Sequence, residues 1–290
     1  MRVLVLGVSG LIGHSVFRAL ALRTDWAVIG TSRSGVIHAS DDAVVIDKID
    51  VMAHGVLEDL FAKYQPSVVV NCIGITKHMS FPNIHEDSIG LNALLPHRLG
   101  RLCAKSRGRL IHISSDCVFS GEKGKYLDDD VSDAVDLYGK TKALGELASD
   151  NSLTLRTSTI GHELSSSRGL LEWFRTQTGS CLGFNRAIFS GLSTYEFARV
   201  IRDVVIPRPS LKGIFNVGGA PIDKYSLLKL IADVYTLNVR IDKDERFKID
   251  RSLNSDKFSS ITGYRAPDWE TMVTEMWRDY IEHQNIYVSR

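Results

Sequence analysis

Apolar runs of strand length recur through the first half of the chain, at Arg2-Val3-Leu4-Val5-Leu6, Ala27-Val28-Ile29, Ala43-Val44-Val45-Ile46, Val68-Val69-Val70, Leu110-Ile111-His112-Ile113 and Leu153-Thr154-Leu155. Most of them are separated by amphipathic stretches of helical period, so the pattern is a βαβ alternation. Near-continuous hydrophobicity within each strand implies a parallel sheet covered on both faces and wound right-handed. The expected fold class is α/β, a Rossmann-like doubly wound parallel sheet built from residues 1–158. Beyond residue 158 the pattern loosens. Residues 169–177 and 193–206 read as helices, the second behind a Ser193-x-x-Glu196 capping box, and 213–217 read as a strand. The stretch 192–217 is expected to return to the first domain. Residues 159–191 and 218–290, with helices near 226–235 and 269–282, are expected to form a smaller C-terminal lobe.

The first strand runs into Gly7-Val8-Ser9-Gly10-Leu11-Ile12-Gly13 and then an amphipathic stretch through Leu22. In that order, strand, glycine turn and helix, Gly7 permits the tight turn and Gly10 lets a pyrophosphate approach the backbone. Gly13 allows close packing of helix on strand, and the helix N-terminus faces the negative charge. A dinucleotide is the expected ligand, with Leu11 and Ile12 beside it, so residues 1–158 are expected to be its binding domain.

Composition narrows the partners. The 290 residues are 44% hydrophobic and 24% charged, enough for a large core. Lys and Arg total 35 against 34 Asp and Glu, so no strong net charge points to nucleic acid or an anionic membrane. Cys72, Cys103, Cys117 and Cys181 form no C-x-x-C pair, which fits free thiols in a reducing compartment and no metal site. No basic segment with an apolar core precedes the first strand, and no apolar run approaches the roughly 20 residues that cross a bilayer. A cytoplasmic protein is expected.

After the second strand, where an acidic residue would bond the ribose hydroxyls of NAD, the chain has Thr31-Ser32-Arg33. A hydroxyl and a guanidinium suit a 2′-phosphate, so NADPH is expected in preference to NADH. Asp50 and Val51 follow the third strand, where a carboxylate can accept from the adenine amino group and Val51 can pack on its ring. Cys72, Ile73 and Gly74 end the fourth strand at the carboxyl edge, where open α/β sheets bind ligands.

Tyr138 and Lys142 lie four residues apart on a helical stretch, so both side chains share one face. An ammonium beside a phenol is expected to pull the phenol's pKa from about 10 toward neutrality, which suits a proton donor. The fifth strand leads into Ser114-Ser115-Asp116-Cys117, again at the carboxyl edge, where hydroxyls can face Tyr138. His112 reads as a core histidine. The long connection from Gly121 to Asp136 is read either as a lid or as a solvated excursion.

The glycine turn, Asn92, Ser115, Tyr138 and Lys142, in that order, resemble the extended branch of the short-chain dehydrogenases and reductases. More closely, Ser114 to Gly121, Tyr138-Gly139-Lys140-Thr141-Lys142 with Gly145-Glu146, Leu155-Arg156-Thr157-Ser158 and Asp250-Arg251-Ser252-Leu253 resemble the dTDP-4-dehydrorhamnose reductase family. The resemblance implies that Ser115 hydrogen-bonds the substrate carbonyl and Tyr138 delivers the proton. It implies that Lys142 holds the nicotinamide ribose, and that Asn92 positions a water or the helix backbone behind it. The implied reaction is NADPH-dependent reduction of the 4-keto group of a nucleotide-linked 6-deoxyhexose, in surface polysaccharide precursor synthesis. The C-terminal lobe then binds substrate, and the assembly is compatible with a homodimer.

This chain departs from that family at Cys117, usually Tyr, and near Thr159, usually an aromatic; both line the sugar pocket there. Small side chains enlarge the pocket, so the sugar stays open, as does a thymidine or uridine diphosphate, with Asp116 and Arg186 as further substrate contacts. Arg156, Arg186 and Arg251 would each suit that diphosphate, and each by itself reads first as structural. Related dehydratases carry an Asp-Glu pair where this chain has Asp116-Cys117, and a thiol of pKa about 8.5 is a poor substitute for that carboxylate. The alternatives are an epimerase or 4,6-dehydratase retaining NAD, and a non-catalytic NADP-sensing regulator.

Overall fold

The computed structural model describes residues 1–33, 43–77, 79, 82–165 and 167–287. Strands β1 (Arg2–Leu6), β2 (Ala27–Thr31), β3 (Val44–Ile46), β4 (Val68–Asn71), β5 (Arg109–Ile113) and β6 (Ser152–Arg156) form one parallel sheet. The strand Gly213–Asn216 completes it as a seventh member, parallel to β6. The spatial order is Gly213–Asn216, β6, β5, β4, β1, β2, β3. The chain winds outward from β1 to β3, then restarts at β4 on the other side of β1. That reversal opens a crevice at the carboxyl ends of β1 and β4, where such sheets bind ligands.

Successive side chains of a strand point to opposite faces, and the apolar runs divide accordingly. Val3 and Val5 of β1 and Val68 and Val70 of β4 enter one core cluster with Val16, Phe17 and Phe197. Leu4, Leu6 and Val69 enter the other with Leu57, Phe61, Leu95 and Leu99. The helices over the two faces are α1 (Leu11–Ala21), α2 (Val56–Tyr64), α3 (Ile84–Ser88), α4 (Leu95–Lys105) and α5 (Leu137–Leu144). Burying each such leucine contributes about 1.5–3 kcal/mol, so strands polar on neither face are what hold a two-faced sheet.

Between α3 and α4 the helix widens into π-helical turns over Ile89–Leu94. Pro96, in the first turn of α4, supplies no N–H to the Asn92 carbonyl four residues back. The Leu95 N–H reaches instead to Gly90, five residues back.

Helix Thr194–Arg199 follows the Ser193 cap, whose hydroxyl accepts the Glu196 N–H at 3.1 Å. Helices Lys224–Tyr235 and Trp269–Glu282 lie where the periodicity places them, while the helix expected over 169–177 is confined to Leu170–Arg175. Small strands in the C-terminal part carried no apolar signal. Gly179–Phe184 pairs with Val239–Asp244, and Ala187–Phe189 lies between Ile222–Asp223 and Ile249–Asp250. Half of Gly179–Phe184 is exposed and only Gly183 is buried, so its sequence needs no apolar run.

The connection 121–136 is not a lid. Buried Tyr126 stacks on Phe119 with ring centres 4.1 Å apart, and its hydroxyl accepts the N–H groups of Gly121 and Lys123 at 3.0 and 3.2 Å. The Arg156 guanidinium donates to the Asp128 carbonyl at 2.9 Å, and the Asp128 carboxylate accepts the Asn216 N–H at 2.7 Å. Buried polar partners pin the segment to the sheet edge, and a hinged flap would leave them unpaired. Among the described residues no helix is long and apolar enough to cross a membrane.

Candidate active site

The glycine turn has the shape that close approach of a ligand requires. Gly7 has φ +82°, and a Cβ there would lie 2.8 Å from Ile73 Cγ1. A Cβ on Gly13 would lie 2.0 Å from the Gly7 carbonyl oxygen, so only glycine lets α1 start this close to β1. At Gly10 a Cβ would meet only the Gly7 oxygen, at 3.4 Å, and the rest of its surroundings is open. Leu11 and Ile12 begin α1 immediately beyond.

At the end of β2, Ser32 is buried and its N–H donates to Ile46 at 3.0 Å, while Arg33 is exposed. The Asp50 carboxylate accepts the Met52 N–H at 2.9 Å and is occupied as a turn cap. Val51 is only 5% exposed and packs in the core cluster with Leu4 and Leu57. Its surface serves the core, so the expected contact with an adenine ring has little side chain left to use. After β4, the Asn71 side chain fixes the turn by accepting the Ile73 N–H at 3.1 Å, next to Cys72 and Gly74. A Cβ on Gly74 would lie 3.3 Å from Asn92 Oδ1 and 3.9 Å from Lys142 Nζ, so these three positions converge on the crevice.

Helix α5 is capped by Asp136, whose carboxylate accepts the Gly139 N–H at 2.7 Å. A Cβ on Gly139 would lie 2.2 Å from the Cys117 carbonyl oxygen, so this glycine lets α5 press against the short helical turn Asp116–Val118. Ser115 caps that turn by accepting the Cys117 N–H at 3.1 Å, and its hydroxyl donates to Asp116 Oδ1 at 3.1 Å. The packing brings Tyr138 beside Ser115, Asp116 and Cys117. Burial raises the phenol's pKa, with Cys117, Asp116 and Asp136 acting in the same direction and the Ser115 hydroxyl pulling it down.

Lys142, 4% exposed, donates from Nζ to the Ile113 carbonyl at 2.5 Å. Burial lowers its pKa to about 8 against the pull of Glu146 and Cys72. The expectation that Lys142 draws Tyr138 toward neutrality therefore fails in this structure. The amine is engaged with a carbonyl, and desolvation dominates the phenol. Tyr138 keeps its proton, which a donor requires.

Asn92 does not face the reacting groups. Its Oδ1 accepts the Ile75 N–H at 2.9 Å, and its Nδ2 donates to the Ile75 carbonyl at 2.9 Å and to Thr141 Oγ1 at 3.2 Å. It ties the loop after β4 to α5 one residue from Lys142, which makes it a positioning residue and not a catalytic one. His112 is fully buried, with Nδ1 3.1 Å from Asn71 Nδ2, and burial holds it well below the usual histidine pKa.

Around the serine, Cys117 is buried and its thiol is pushed up to about 12, chiefly by burial. Arg251 Nη1 lies 3.8 Å from Cys117 Sγ and its Nε donates to the Phe119 carbonyl at 2.8 Å. Half-buried Thr159 pairs with Leu192 in a short parallel ladder. Arg186 is exposed at the turn between Gly179–Phe184 and Ala187–Phe189 and, among the described residues, its side chain has no hydrogen bond or ion pair. Its backbone carbonyl accepts the Ile249 N–H at 3.0 Å, two residues before Arg251. Arg156 is structural, bonded to the Glu146 carboxylate at 2.8 and 2.7 Å.

Sequence reasoning missed Lys224. It opens the helix Lys224–Tyr235, behind the Asp223 cap, and its Nζ stands 3.9 Å from the centre of the Phe189 ring. The available signal was a cation in a helix's first turn, where the dipole favours anions.

Residues 1–166 match the family described as the RmlD substrate binding domain. Among curated proteins, methionine adenosyltransferase 2 subunit beta of Xenopus tropicalis is 24% identical over 320 residues, covering 97% of this chain and 91% of that protein. A solved structure named a hypothetical dTDP-4-dehydrorhamnose reductase from Sulfolobus tokodaii superposes with a TM-score of 0.76 at 26% identity, covering 93% of this chain and 98% of its own. The dTDP-4-dehydrorhamnose reductase of Bacillus anthracis, solved in complex with NADP, superposes with a TM-score of 0.79 at 16% identity, covering 96% and 99%.

Proposed function

Because the chain belongs to the RmlD substrate binding domain family, we propose that it is a cytoplasmic reductase that uses NADPH to convert the 4-keto group of a nucleotide-activated deoxysugar into an alcohol, in the synthesis of polysaccharide precursors. The observation that carries this reading is the convergence of Ser115, Tyr138 and Lys142 at the carboxyl edge of the sheet, beside Gly74 and the crevice. The open side of Gly10 and the N-terminus of α1 fit a pyrophosphate, and exposed Arg33 with Ser32 fits a 2′-phosphate. When bound, NADPH supplies the hydride.

The protein's own share is binding, orientation and proton transfer. Ser115 holds the ketone oxygen and stabilises charge growing there. Tyr138, protonated at neutral pH, gives its proton to that oxygen, and a secondary alcohol results. Lys142 holds ribose hydroxyls, and Asn92 keeps the loop that carries Gly74 in register with α5. The buried, neutral Cys117 argues against dehydration, because its thiol does not replace the carboxylate of an Asp-Glu pair.

A second reading is favoured by one observation: relatives aligned over nearly the whole chain are named as a subunit of another enzyme. The test is to mix the protein with NADPH and a panel of dTDP- and UDP-linked 4-keto-6-deoxy sugars. Loss of absorbance at the nicotinamide band with stoichiometric alcohol supports reduction. Sugar turnover without net NADPH loss supports an epimerase or dehydratase. NADPH binding with no turnover on any sugar supports the regulatory reading.

A further inference from the structure

Cys117 and Asp116, the residues that follow the candidate carbonyl-binding serine, are bordered by cations. Arg251 Nη1 is 3.8 Å from the Cys117 sulfur. Asp223 and Asp250 pair with Ile188 from opposite sides, so Lys224 and Arg251, one residue on, both border Phe189, and Lys224 is near enough to Asp116, Lys77 and Cys117 to be acted on by each. The Lys224 ammonium rests on the face of Phe189, 3.9 Å from the ring centre. That contact fixes the amine from one side and leaves its remaining donors directed away from the ring.

Neither lysine has a carboxylate at ion-pair distance among the described residues. Asp116 is near Lys224, but its carboxylate accepts from Ser115. Burial pulls Lys224 down to about 8 against the pull of Asp116 and Cys117, and Lys77 adds to the effect of burial. Such an arrangement costs stability: the Lys224 ammonium is desolvated in the first turn of a helix whose dipole opposes it, with exposed Lys77 near enough to repel it. An anion bound beside Lys224 would favour its charged form and offset the repulsion from Lys77 and the helix dipole.

We propose that Lys224, with Lys77 and Arg251 beside it, forms an anion-recognising wall of the substrate cleft that holds the diphosphate of the sugar nucleotide while the sugar reaches Ser115 and Tyr138. The proposal rests on the reductase reading for its substrate, and deepens it by assigning a specificity residue. Lys224 acts in binding: its loss raises KM and leaves the proton transfer from Tyr138 in place. A phosphate contact predicts that UDP, dTDP and inorganic pyrophosphate sense Lys224, whereas glucuronate, a carboxylate control, does not.

The experiment is calorimetric titration of the NADP-loaded protein with UDP, dTDP, pyrophosphate, glucuronate and uridine. It compares wild type with Lys224→Met, Lys224→Arg and Lys77→Met. Lys224→Met should weaken UDP, dTDP and pyrophosphate by about tenfold or more, as loss of a charge-assisted bond does. Uridine should be unaffected, and Lys224→Arg should recover most of the loss. Unchanged NADP affinity and a melting midpoint no lower than wild type in Lys224→Met show that the fold is intact, since loss of the buried ammonium should if anything raise it. If that intact variant binds UDP, dTDP and pyrophosphate as wild type does, or if wild type binds none of them, the assignment is overturned. If Lys224 governs anion binding and yet no keto sugar consumes NADPH, the wall stands and the reductase reading falls.

Discussion

Tyr138 and Lys142 stand on one turn of helix, yet their titrations answer to different surroundings. The phenol is held protonated by burial, and the amine is buried against the Ile113 carbonyl with its pKa lowered to about 8. Removing the phenolic oxygen in Tyr138→Phe should lower kcat by about a hundredfold or more while NADPH affinity stays within about twofold, read from single-turnover rates and fluorescence titration. Unchanged turnover in that variant would falsify the acid assignment. Lys142 also shapes stability. In the unfolded chain its amine titrates at 10.5 and in the fold at about 8. Above the higher value both states are neutral and no penalty arises. As pH falls toward 8 the folded protein must bury a charge, and below 8 the penalty is complete. Lys142→Met should therefore stabilise the protein at pH 7 by on the order of 3 kcal/mol while abolishing turnover, and the gain should shrink as pH approaches 10. Urea midpoints at pH 7 and pH 10 decide this, since an equal gain at both would mean packing and not charge. Arg33→Ala belongs to the same scale. It should weaken NADPH about tenfold and NADH far less, and equal losses for both cofactors would remove the 2′-phosphate reading.

At the scale of elements, the widened turns at Ile89–Leu94 place Asn92. Its side chain spans from the Ile75 backbone to Thr141, and its freed carbonyl is where α5 ends: a Cβ on Gly145 would lie 2.0 Å from the Asn92 oxygen. Asn92→Ala leaves the Ile75 N–H and carbonyl without partners inside the protein, at about 1–3 kcal/mol each. The expected outcome is a lower melting midpoint with kcat reduced alongside, because α5 carries both Tyr138 and Lys142. A variant that melts earlier but turns over normally would mean that the loop and α5 hold their places independently. The periodicity of helices Lys224–Tyr235 and Trp269–Glu282 was readable because each buries one stripe, while the widened turns were not, since their cause is a missing donor at Pro96 acting on a residue four places earlier. The lid reading of 121–136 failed for a related reason: an acidic run looks solvated in sequence, but Asp128 is buried against Asn216, which sits far along the chain.

For the whole molecule, the Arg156–Glu146 pair joins the sheet, the 121–136 segment and the end of α5. Both side chains are 5% exposed, and Ser114 adds a bond to Glu146 at 2.7 Å. Arg156→Leu strands a buried carboxylate and should cost about 3–5 kcal/mol by urea unfolding, whereas Arg156→Leu with Glu146→Leu should recover much of that. No recovery in the double variant would show that the Asp128 contact, and not the ion pair, carries the loss. The two-faced sheet, the glycine turn and the spacing of Tyr138 and Lys142 were determined by sequence alone, because each is a local pattern: alternation along a strand, absence of a Cβ at a turn, one turn of a helix. Only the tertiary structure decided that Val51 and Asp50 serve the core and a turn, that Asn92 clamps a loop, and that Lys224 comes to rest on Phe189 near Cys117. Those outcomes depend on which distant surfaces meet and how much water they exclude, and proton affinities follow the same exclusion, so no window of neighbouring residues contains them.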